Sequence, residues 1–533
     1  MEFSYKQRAQ SLREMADHGV DVLVIGGGIT GAGIALDAAA RGFRTGLVEK
    51  ADFASGTSSK STKLVHGGLR YLAQLDFPLV REAVIERGLL LRNAPFLVQP
   101  LGFVLPIYAD NRKPLGMPFA LPSSSAISVA LRLGLTLYDA LAGKSGIQRH
   151  RHLGVEQALE LIPTLKREGL RDAFIYYDAQ TDDTLLTVTV LRTAASKGAL
   201  IANYAEVTGF EEEHGKLTQA VIRDALSNEV FKVRADTIIN ATGVFSNRIE
   251  ILAGEESKIH IEPAKGIHLT LPRSALNIGR EAVILPETED GRVLFIIPWG
   301  SCVTVGTTDT VGGDIDHPIA TDDDIAYLLR HVNRTMSVSL TELDIISAWA
   351  GYRPLISHVQ AGKPTSKLSR THVIQDYPNG LITIAGGKLT TYRRMAQDVM
   401  DHVCKRLGKP VKHVTEHLPL LGSEGWREAS ATLRTSTALN PDSMSRLEKY
   451  GSEALKILDL IAAEPALAAS IVAGLPYILA EVVYACRYQM AMRAEDIIER
   501  RVHLSFEDRE HGAGALSQIS DIIARENHVQ GQK

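Results

Sequence analysis

Residues 20–50 read VDVLVIGGGITGAGIALDAAARGFRTGLVEK. The branched apolar run from Val22 to Ile25 predicts a fully buried parallel strand, which must stop where the glycines at 26–28 turn the chain sharply. An alanine-rich helix follows, and a second strand, Thr45 to Val48, ends on Glu49. This order predicts a βαβ unit, with which dinucleotide-binding domains begin.

The glycines and the acid of this unit have the spacing of a dinucleotide-binding fingerprint. A pyrophosphate needs bare backbone N–H groups at a helix N-terminus, and a side chain on Gly26 or Gly28 would hold it away. Gly31 lets the helix sit close to the sheet. Glu49 stands 21 positions after Gly28, where a carboxylate accepts from a ribose hydroxyl and repels a 2′-phosphate. The unit therefore predicts FAD or NAD and disfavours NADP.

Length and composition narrow the class of protein. The chain has 533 residues and a net charge of −4 without a block of like charges, so nothing indicates nucleic-acid binding. Its three cysteines, Cys302, Cys404 and Cys486, have neither CxxC nor CxxH spacing, which argues against zinc sites and a disulfide framework. We therefore predict no metal site and a reducing, cytoplasmic location.

No segment is predicted to cross a membrane. The N-terminus lacks the apolar core of a signal peptide. The uncharged stretch from Pro114 to Leu131 is interrupted by three prolines and three consecutive serines, and the one from Pro465 to Ala480 is too short and contains Pro476. The sequence leaves open whether the protein contacts a membrane surface.

The polar segment after Glu49 contains the string KLVHGGLRYL, Lys63 to Leu72. This long, uncommon string resembles FAD-dependent glycerol-3-phosphate dehydrogenases, within the wider group of flavin amine and hydroxyl oxidoreductases that includes D-amino-acid oxidase. The resemblance covers most of the chain. It extends to GLTLYDAL at 134–141, AGYRPL at 350–355, SRTHVI at 369–374 and GGKLTTYR at 386–393.

The resemblance implies an α/β fold in which a Rossmann-like FAD-binding domain is interleaved with a substrate domain on an antiparallel sheet. We assign residues 1–415 to this oxidoreductase region. Its FAD-binding parts are about 18–95, 173–260 and 350–415, and its substrate parts about 96–172 and 261–349. Residues 416–533 have few branched strands and show helical spacing of apolar side chains, which predicts a C-terminal all-α domain.

The resemblance also implies which residues contact FAD. Hydroxyls between Ser55 and Thr62 can bind pyrophosphate oxygens, although the sequence does not show which of them do. The predicted cofactor contacts are Gly26, Gly28, Ile29, Thr30, Gly31, Glu49, Lys50, Thr57, Ser58, Ser61, Thr62, Lys63, Leu64, His66, Val207, Ala241, Thr242, Gly243, Gly386, Gly387, Lys388, Leu389 and Thr390.

Oxidation of a secondary alcohol requires a hydride acceptor, here flavin N5, together with a group that takes the hydroxyl proton and a clamp for the substrate. Planar guanidinium forks are the expected clamp for a phosphate. Basic residues beside glycine turns or a proline in the matching motifs are therefore candidates. The predicted catalytic residues are His66, Arg70, Arg353 and Lys388, and the predicted substrate contacts are Arg70, Tyr71, His268, Arg353, Arg370 and Lys388.

The identity of the proton acceptor stays open. A neutral imidazole titrates near neutrality, so His66 suits general base catalysis, but it could instead only hydrogen-bond the flavin. His268, in the string KGIHL, is the competing base. Lys388 has a second role open to it, in which its charge stabilises the reduced flavin.

The leading interpretation is FAD-dependent oxidation of sn-glycerol 3-phosphate to dihydroxyacetone phosphate. Electrons would pass to a quinone, with the protein peripheral on the inner face of the cytoplasmic membrane. The alternatives are an oxidase that makes hydrogen peroxide, another amine or hydroxy-acid oxidoreductase, and a flavin-binding scaffold without turnover. An NAD dehydrogenase would explain only the first fifty residues. The oligomeric state, a homodimer included, is not determined by the sequence.

Overall fold

A computed structural model describes residues 2–110, 113, 120–286, 288–289, 291–356 and 372–531. The strands are β1 (Val20–Ile25), β2 (Thr45–Val48), β3 (Leu64–Val65), β4 (Gln99–Tyr108), β5 (Arg151–Leu153), β6 (Leu170–Gln180), β7 (Leu200–Ala202), β8 (Ala205–Glu213), β9 (Lys216–Asp224), β10 (Val230–Asn240), β11 (Ile261–Pro272), β12 (Ala282–Ile284), β13 (Phe295–Trp299), β14 (Cys302–Gly306), β15 (Thr310–Val311), β16 (Ser347–Ile356), β17 (Val373–Asp376) and β18 (Ile382–Ala385). The helices are α1 (Tyr5–His18), α2 (Ile29–Ala40), α3 (Leu69–Leu72), α4 (Phe77–Asn93), α5 (Ser124–Ala142), α6 (Val155–Leu161), α7 (Asp183–Ser196), α8 (Ser246–Leu252), α9 (Arg273–Leu276), α10 (Asp322–Thr335), α11 (Tyr392–Arg406), α12 (Trp426–Arg434), α13 (Pro441–Leu447), α14 (Ala454–Ala463), α15 (Leu479–Tyr488), α16 (Leu504–Glu507) and α17 (Leu516–Gly531).

The first sheet is built around β1. Strands β18, β10, β1, β2 and β7 lie side by side in that order and run parallel, with β17 antiparallel at the edge. Val22, Leu23 and Val24 are fully buried, since α2 covers one face of β1 and α1 the other. A strand buried on both faces reads as a continuous apolar run. The predicted Rossmann-like βαβ unit is confirmed.

Helix α2 lies close to its neighbours because two of its residues lack side chains. A Cβ on Gly31 would stand 1.9 Å from the carbonyl oxygen of Gly26, and one on Gly33 would stand 2.7 Å from the ring of Tyr392 in α11. Both positions therefore exclude any larger residue. The glycines bring the N-terminus of α2 to the carboxyl end of β1, where parallel sheets bind ligands.

Within the described residues, the second sheet has ten strands, in the order β15-β11-β14-β13-β12-β4-β6-β3 with β16 paired to β11 and β5 to β6. All its pairs are antiparallel except β4 with β12. Strands β11 and β16 pair along ten positions, with His268 opposite Trp349 and Ala264 opposite Arg353. The predicted antiparallel sheet, interleaved in sequence with the first, is confirmed.

Helices α12 to α17 and a short π-helix, Asp496–Arg501, form the C-terminal part of the chain. These helices share one continuous apolar core with the first sheet and its helices, to which Val190 of α7, Ile457, Val482 and Ile497 belong. The predicted C-terminal all-α domain is confirmed. Its packing places C-terminal side chains directly against the loops that follow β2.

Helix α5 corrects the expected break at the three serines. The Ser123 hydroxyl accepts the N–H of Ala126 at 3.2 Å, so the serines begin a helix instead of interrupting one. The helix over Ser124–Ser145 is long and apolar enough to cross a membrane, with 22% of its most apolar window buried. Its inner side, including Leu135 and Tyr138, packs into the protein core, so α5 is part of the folded domain. Residues 114–119 lie outside the described ranges.

Candidate active site

A cavity of about 790 Å³ is lined by residues of both sheets. This volume is in the range of cofactor and ligand pockets. Residues that lie far apart in the chain meet there. The predicted site residues that line it are Gly26, Gly28, Ile29, Thr30, Glu49, Lys50, Thr57, Ser58, Ser61, Thr62, Leu64, His66, Arg70, Tyr71, Val207, Ala241, Thr242, Gly243, His268, Arg353, Gly386, Gly387, Lys388, Leu389 and Thr390.

Three predicted residues stand apart from this set. Gly31 packs against Gly26 behind the cavity wall. Lys63 is buried, with its Nζ 2.6 Å from Asp183 Oδ1 and 5.1 Å from the centre of the Trp299 ring, so we reassign it from cofactor contact to an internal ion pair. Arg370 lies outside the described residues.

The N-terminus of α2 forms an anion cradle. Gly26 has a φ of +115°, and a Cβ there would stand 2.7 Å from the carbonyl oxygen of Ala241. The first turn of α2 carries no acidic residue and its N-cap, Gly28, has no side chain to cap it. The N–H of Ile29 donates to Ser58 Oγ at 2.9 Å, which closes the cradle on one side. Bare N–H groups and the positive end of the helix dipole suit a pyrophosphate.

Glu49 is anchored at the carboxyl end of β2. Its Oε2 accepts the N–H of Gly27 at 2.6 Å, and its Oε1 accepts the N–H of Ala51 at 3.0 Å. Burial raises the pKa of Glu49, while these two N–H groups oppose the rise. Each carboxylate oxygen keeps a further lone pair for a ribose hydroxyl. The cradle and the acid therefore fit an FAD dinucleotide.

Two glycine turns bring Tyr71 and Lys388 together. Gly68 has a φ of +75° and begins α3, which carries Arg70 and Tyr71. Gly387 has a φ of +83°, and a Cβ there would stand 2.3 Å from Met395 Sδ. The Lys388 ammonium lies 3.9 Å from the centre of the Tyr71 ring, within the range of a cation–π contact.

The guanidinium of Arg353 is oriented by the segment after β14. Its Nη2 donates to Thr307 Oγ1 at 2.9 Å and its Nη1 to the Thr308 carbonyl at 3.2 Å, and Asp309 lies 3.5 Å away. A Cβ on Gly266 would stand 2.5 Å from Nη2, so only glycine leaves room for the guanidinium there. The planar fork is thus held at the cavity wall.

The two candidate histidines have different surroundings. The backbone N–H of His66 donates to Thr390 Oγ1 at 3.1 Å, which joins the KLVHGG and GGKLTT motifs. His268 is buried, stacks on Trp349 with ring centres 4.2 Å apart, and has its Nε2 3.0 Å from Thr62 Oγ1. Burial, followed by the charge of Arg353, lowers the pKa of His268 well below its usual value. His268 therefore stays neutral near neutral pH.

Several residues of the cavity wall were not among the predicted site residues. Thr307, Thr308 and Asp309 belong to the string GTTDT, in which hydroxyls and an acid directly follow a branched strand, and this signal could have found them. Phe103 and Tyr176, with ring centres 5.3 Å apart, had no such signal because the β4–β6 pairing joins them. The other missed wall residues include Lys60, Asp178, Phe245, Arg248, Ile284, Arg292, Val293, Phe295 and Tyr352.

The fold and the cavity define an FAD-dependent oxidoreductase, and comparison with known proteins agrees. The family described as "FAD dependent oxidoreductase" matches residues 21–393, and "C-terminal domain of alpha-glycerophosphate oxidase" matches residues 413–533.

Named relatives narrow the class. "Glycerol-3-phosphate dehydrogenase 2" of Mycobacterium tuberculosis is 38% identical over 525 residues, covering 97% of this chain and 86% of the relative. The mitochondrial glycerol-3-phosphate dehydrogenase of Arabidopsis thaliana is 36% identical over 552 residues, covering 98% and 85%. The crystal structure of a glycerol-3-phosphate dehydrogenase from Bacillus halodurans with FAD has a TM-score of 0.76 at 31% identity, covering 99% of this chain and 96% of that one. The chain therefore belongs to the FAD-dependent glycerol-3-phosphate dehydrogenase family, and its cofactor is FAD.

Proposed function

We propose that the protein oxidises sn-glycerol 3-phosphate to dihydroxyacetone phosphate and passes the electrons to a membrane quinone. The observation that carries this proposal is the meeting of Arg353, Arg70 and Lys388 in the same cavity as the dinucleotide cradle. An amine, or a hydroxy acid with its single carboxylate, would not need several basic side chains there, whereas a phosphate dianion would.

In this reaction we assign roles to the cofactor and to the basic side chains and histidines of the cavity. Bound FAD supplies the hydride acceptor. Arg353, oriented by Thr307 and Thr308, binds the substrate phosphate through its planar fork, and Arg70 supplies a second guanidinium to the same phosphate. His66 takes the proton of the secondary hydroxyl, because the neutral and buried His268 has too low a pKa to hold one near neutral pH. Lys388 offsets negative charge that develops in the cavity.

The acceptor and the location are supported by the outer face of α5. Val129, Leu133 and Leu137 follow one another at intervals of four and are 61%, 67% and 40% exposed. An apolar face of this kind suits the interfacial layer of a membrane. The apolar cluster on the inner side of α5 extends to Phe103 and Ile284 in the cavity wall. We therefore place the protein peripherally, on the inner face of the cytoplasmic membrane, where an apolar quinone is dissolved.

An anaerobic titration tests the reaction. Glycerol 3-phosphate should bleach the flavin absorbance of the holoenzyme, and glycerol at the same concentration should not. A short-chain quinone analogue should then restore the absorbance faster than dissolved oxygen does. Faster recovery with oxygen, together with peroxide, would identify an oxidase instead. Flavin that no phosphorylated alcohol bleaches would overturn the proposal.

Sedimentation with lipid vesicles tests the location. Replacing Leu133 and Leu137 together by serine should reduce the fraction bound to vesicles, because apolar area is lost from the contact. A matched control replaces Ile319 and Leu343, which are exposed on other elements, by serine. Equal binding by both variants and the wild type would show that α5 does not contact the membrane.

A further inference from the structure

A buried carboxylate holds the loop that carries His66. Asp178, in β6, is 1% exposed, and its Oδ1 accepts the N–H of Gly67 at 3.0 Å and the hydroxyl of Tyr138 at 2.7 Å. The same oxygen accepts from Nη1 of Arg87, which also donates to the Tyr177 carbonyl at 3.1 Å. Three elements, α4, α5 and β6, therefore converge on one oxygen beside this loop.

The loop has no rigidity of its own. Gly67 and Gly68 separate His66 from Arg70 and Tyr71, and glycine loses more conformational freedom on ordering than any other residue. Tertiary contacts must therefore fix its path. A Cβ on Gly67 would stand 2.2 Å from Tyr138 Oη and 2.3 Å from Val84 Cγ1, so the loop is pressed against α4 and α5 at this point.

The polar groups around Asp178 keep the protonation states that this arrangement needs. Burial raises the pKa of Tyr138 well above its usual value, and the negative charge of Asp178 adds to this rise. The phenol therefore stays a hydrogen-bond donor. Burial by itself would lower the pKa of Arg87, but the neighbouring Tyr138 and Asp178 outweigh burial, so the pKa of Arg87 is raised. Both side chains therefore stay hydrogen-bond donors to Asp178 near neutral pH.

We propose that Asp178, oriented by Tyr138 and Arg87, is a positioning residue that fixes the Gly67 amide and thereby places His66 and Arg70 in the cavity. This inference rests on the proposed function for the roles of His66 and Arg70. It extends that function because Tyr138 belongs to α5, whose opposite side is the exposed apolar face. The position of α5 in the fold therefore determines the geometry of the loop that carries His66.

The first test is Tyr138→Phe, which removes one donor from Asp178 and leaves the ring in place. Purified holoenzyme should keep its FAD, while flavin reduction at saturating glycerol 3-phosphate slows by about tenfold or more, since a misplacement of about 1 Å can cost about 10²-fold. The visible flavin spectrum should shift as well. The rate of flavin reduction should fall, but the shape of its pH profile should match that of the wild type, because neither Tyr138 nor Asp178 exchanges a proton with the substrate.

Tyr108→Phe is the matched control. The Tyr108 hydroxyl is buried in β4 and donates to the Thr335 carbonyl at 3.2 Å, and the residue does not line the cavity. This variant should lose a similar amount of thermal stability while it keeps the wild-type rate and spectrum. Slow flavin reduction in both variants would overturn the inference, because loss of any buried hydroxyl would then suffice.

Hydrogen exchange separates this inference from the proposed function. The backbone amides of residues 64–72 should exchange faster in Tyr138→Phe than in the wild type or in Tyr108→Phe, whatever the substrate is. If Tyr138→Phe fails to fold, Gly67→Ala replaces it, because its Cβ displaces the loop and leaves the Asp178–Arg87 pair intact. Wild-type exchange and a reduction rate within twofold of the wild type in the folded variant would overturn the positioning role. Failure of glycerol 3-phosphate to reduce the wild type would overturn only the proposed function.

Discussion

Arg501 forms a bidentate ion pair with Asp52, at 2.8 and 2.9 Å, between residues 449 positions apart. Asp52 also accepts from Arg500 Nε at 2.6 Å and is buried. Burial alone would raise the pKa of Asp52, but Arg501 and Arg500 outweigh it and lower the pKa. Asp52 stands three positions after Glu49, so the C-terminal domain holds the turn that follows this acid, which we predict to bind ribose.

Arg501→Met should weaken both folding and cofactor retention. Breaking a buried ion pair from one side costs about 3–5 kcal/mol, since the remaining charge stays buried. Urea denaturation should show this loss, and flavin fluorescence should show faster release of FAD. Arg434→Met is the control, because the Arg434 side chain is 69% exposed in its pair with Glu448 and exposed ion pairs contribute little to stability. Equal losses would contradict a special role for Arg501.

Glu49→Ala should weaken FAD binding by about tenfold to a hundredfold, because one charge-assisted hydrogen bond contributes about 1.5–3 kcal/mol. The dissociation constant can be measured from the fluorescence of flavin titrated with apoprotein. Glu211→Ala, which removes from β8 an exposed carboxylate paired with Lys232 of β10, should bind FAD as the wild type does. Unchanged affinity in Glu49→Ala, or release of FMN from heated protein, would contradict the dinucleotide site.

Arg353→Ala should raise the Michaelis constant for glycerol 3-phosphate far more than that for glycerol, since the lost partner is the phosphate. Removing one side of a buried charge pair costs about 2–5 kcal/mol. Arg353→Lys should fall between the wild type and the alanine variant, because it keeps the charge and loses the fork. If both substrates lose affinity equally, Arg353 acts on something other than the phosphate.

His66→Gln should retain FAD and slow anaerobic flavin reduction by about 10²–10⁴-fold, the usual contribution of a general base. The acidic limb of the pH–rate profile should disappear as well, since that limb would report protonation of the base. His268→Gln is the comparison variant, whose profile should keep its acidic limb because His268 is already neutral. Full occupancy by FAD with a rate within tenfold of the wild type would exclude His66 as the base.

The contact between α7 and the C-terminal domain should weaken in acid. Glu453 pairs with Arg192, and although burial raises its pKa, Arg192 and Lys456 outweigh burial and lower it from 4.5 to about 2. A depressed carboxyl pKa stabilises the fold above about pH 4.5, and this stabilisation is lost as the pH falls toward 2. Between pH 5 and pH 3 the loss should be about 2 kcal/mol. In urea denaturation, the free energy of unfolding of Glu453→Gln should decrease between pH 5 and pH 3 by about 2 kcal/mol less than that of the wild type. Equal decreases in the two proteins would contradict the assignment.

Local patterns in the sequence predicted the elements whose physics is local. The βαβ unit could be predicted because its signals lie within about thirty residues of one another. These signals are the apolar run of β1, the glycines at 26–28 and the acid at 49. The serines at 123–125 begin a helix, although a serine can equally well end an apolar pattern, and the packing of Tyr138 that favours the helix involves residues distant in sequence. The resemblance of the motifs, and not their spacing, brought the distant residues of the cavity into one set.

Turn residues and the period of apolar side chains encode the βαβ unit, the two sheet types and the helical C-terminal part, so these features could be predicted from the amino acids alone. Three contacts depend instead on how distant elements pack: Lys63 pairs with Asp183, His268 stacks on Trp349, and Asp178 accepts the N–H of Gly67. These contacts join residues 81 to 120 positions apart, and burial gives them their strength. Desolvation and hydrogen-bond partners depend on which elements pack together, and no local pattern contains that information.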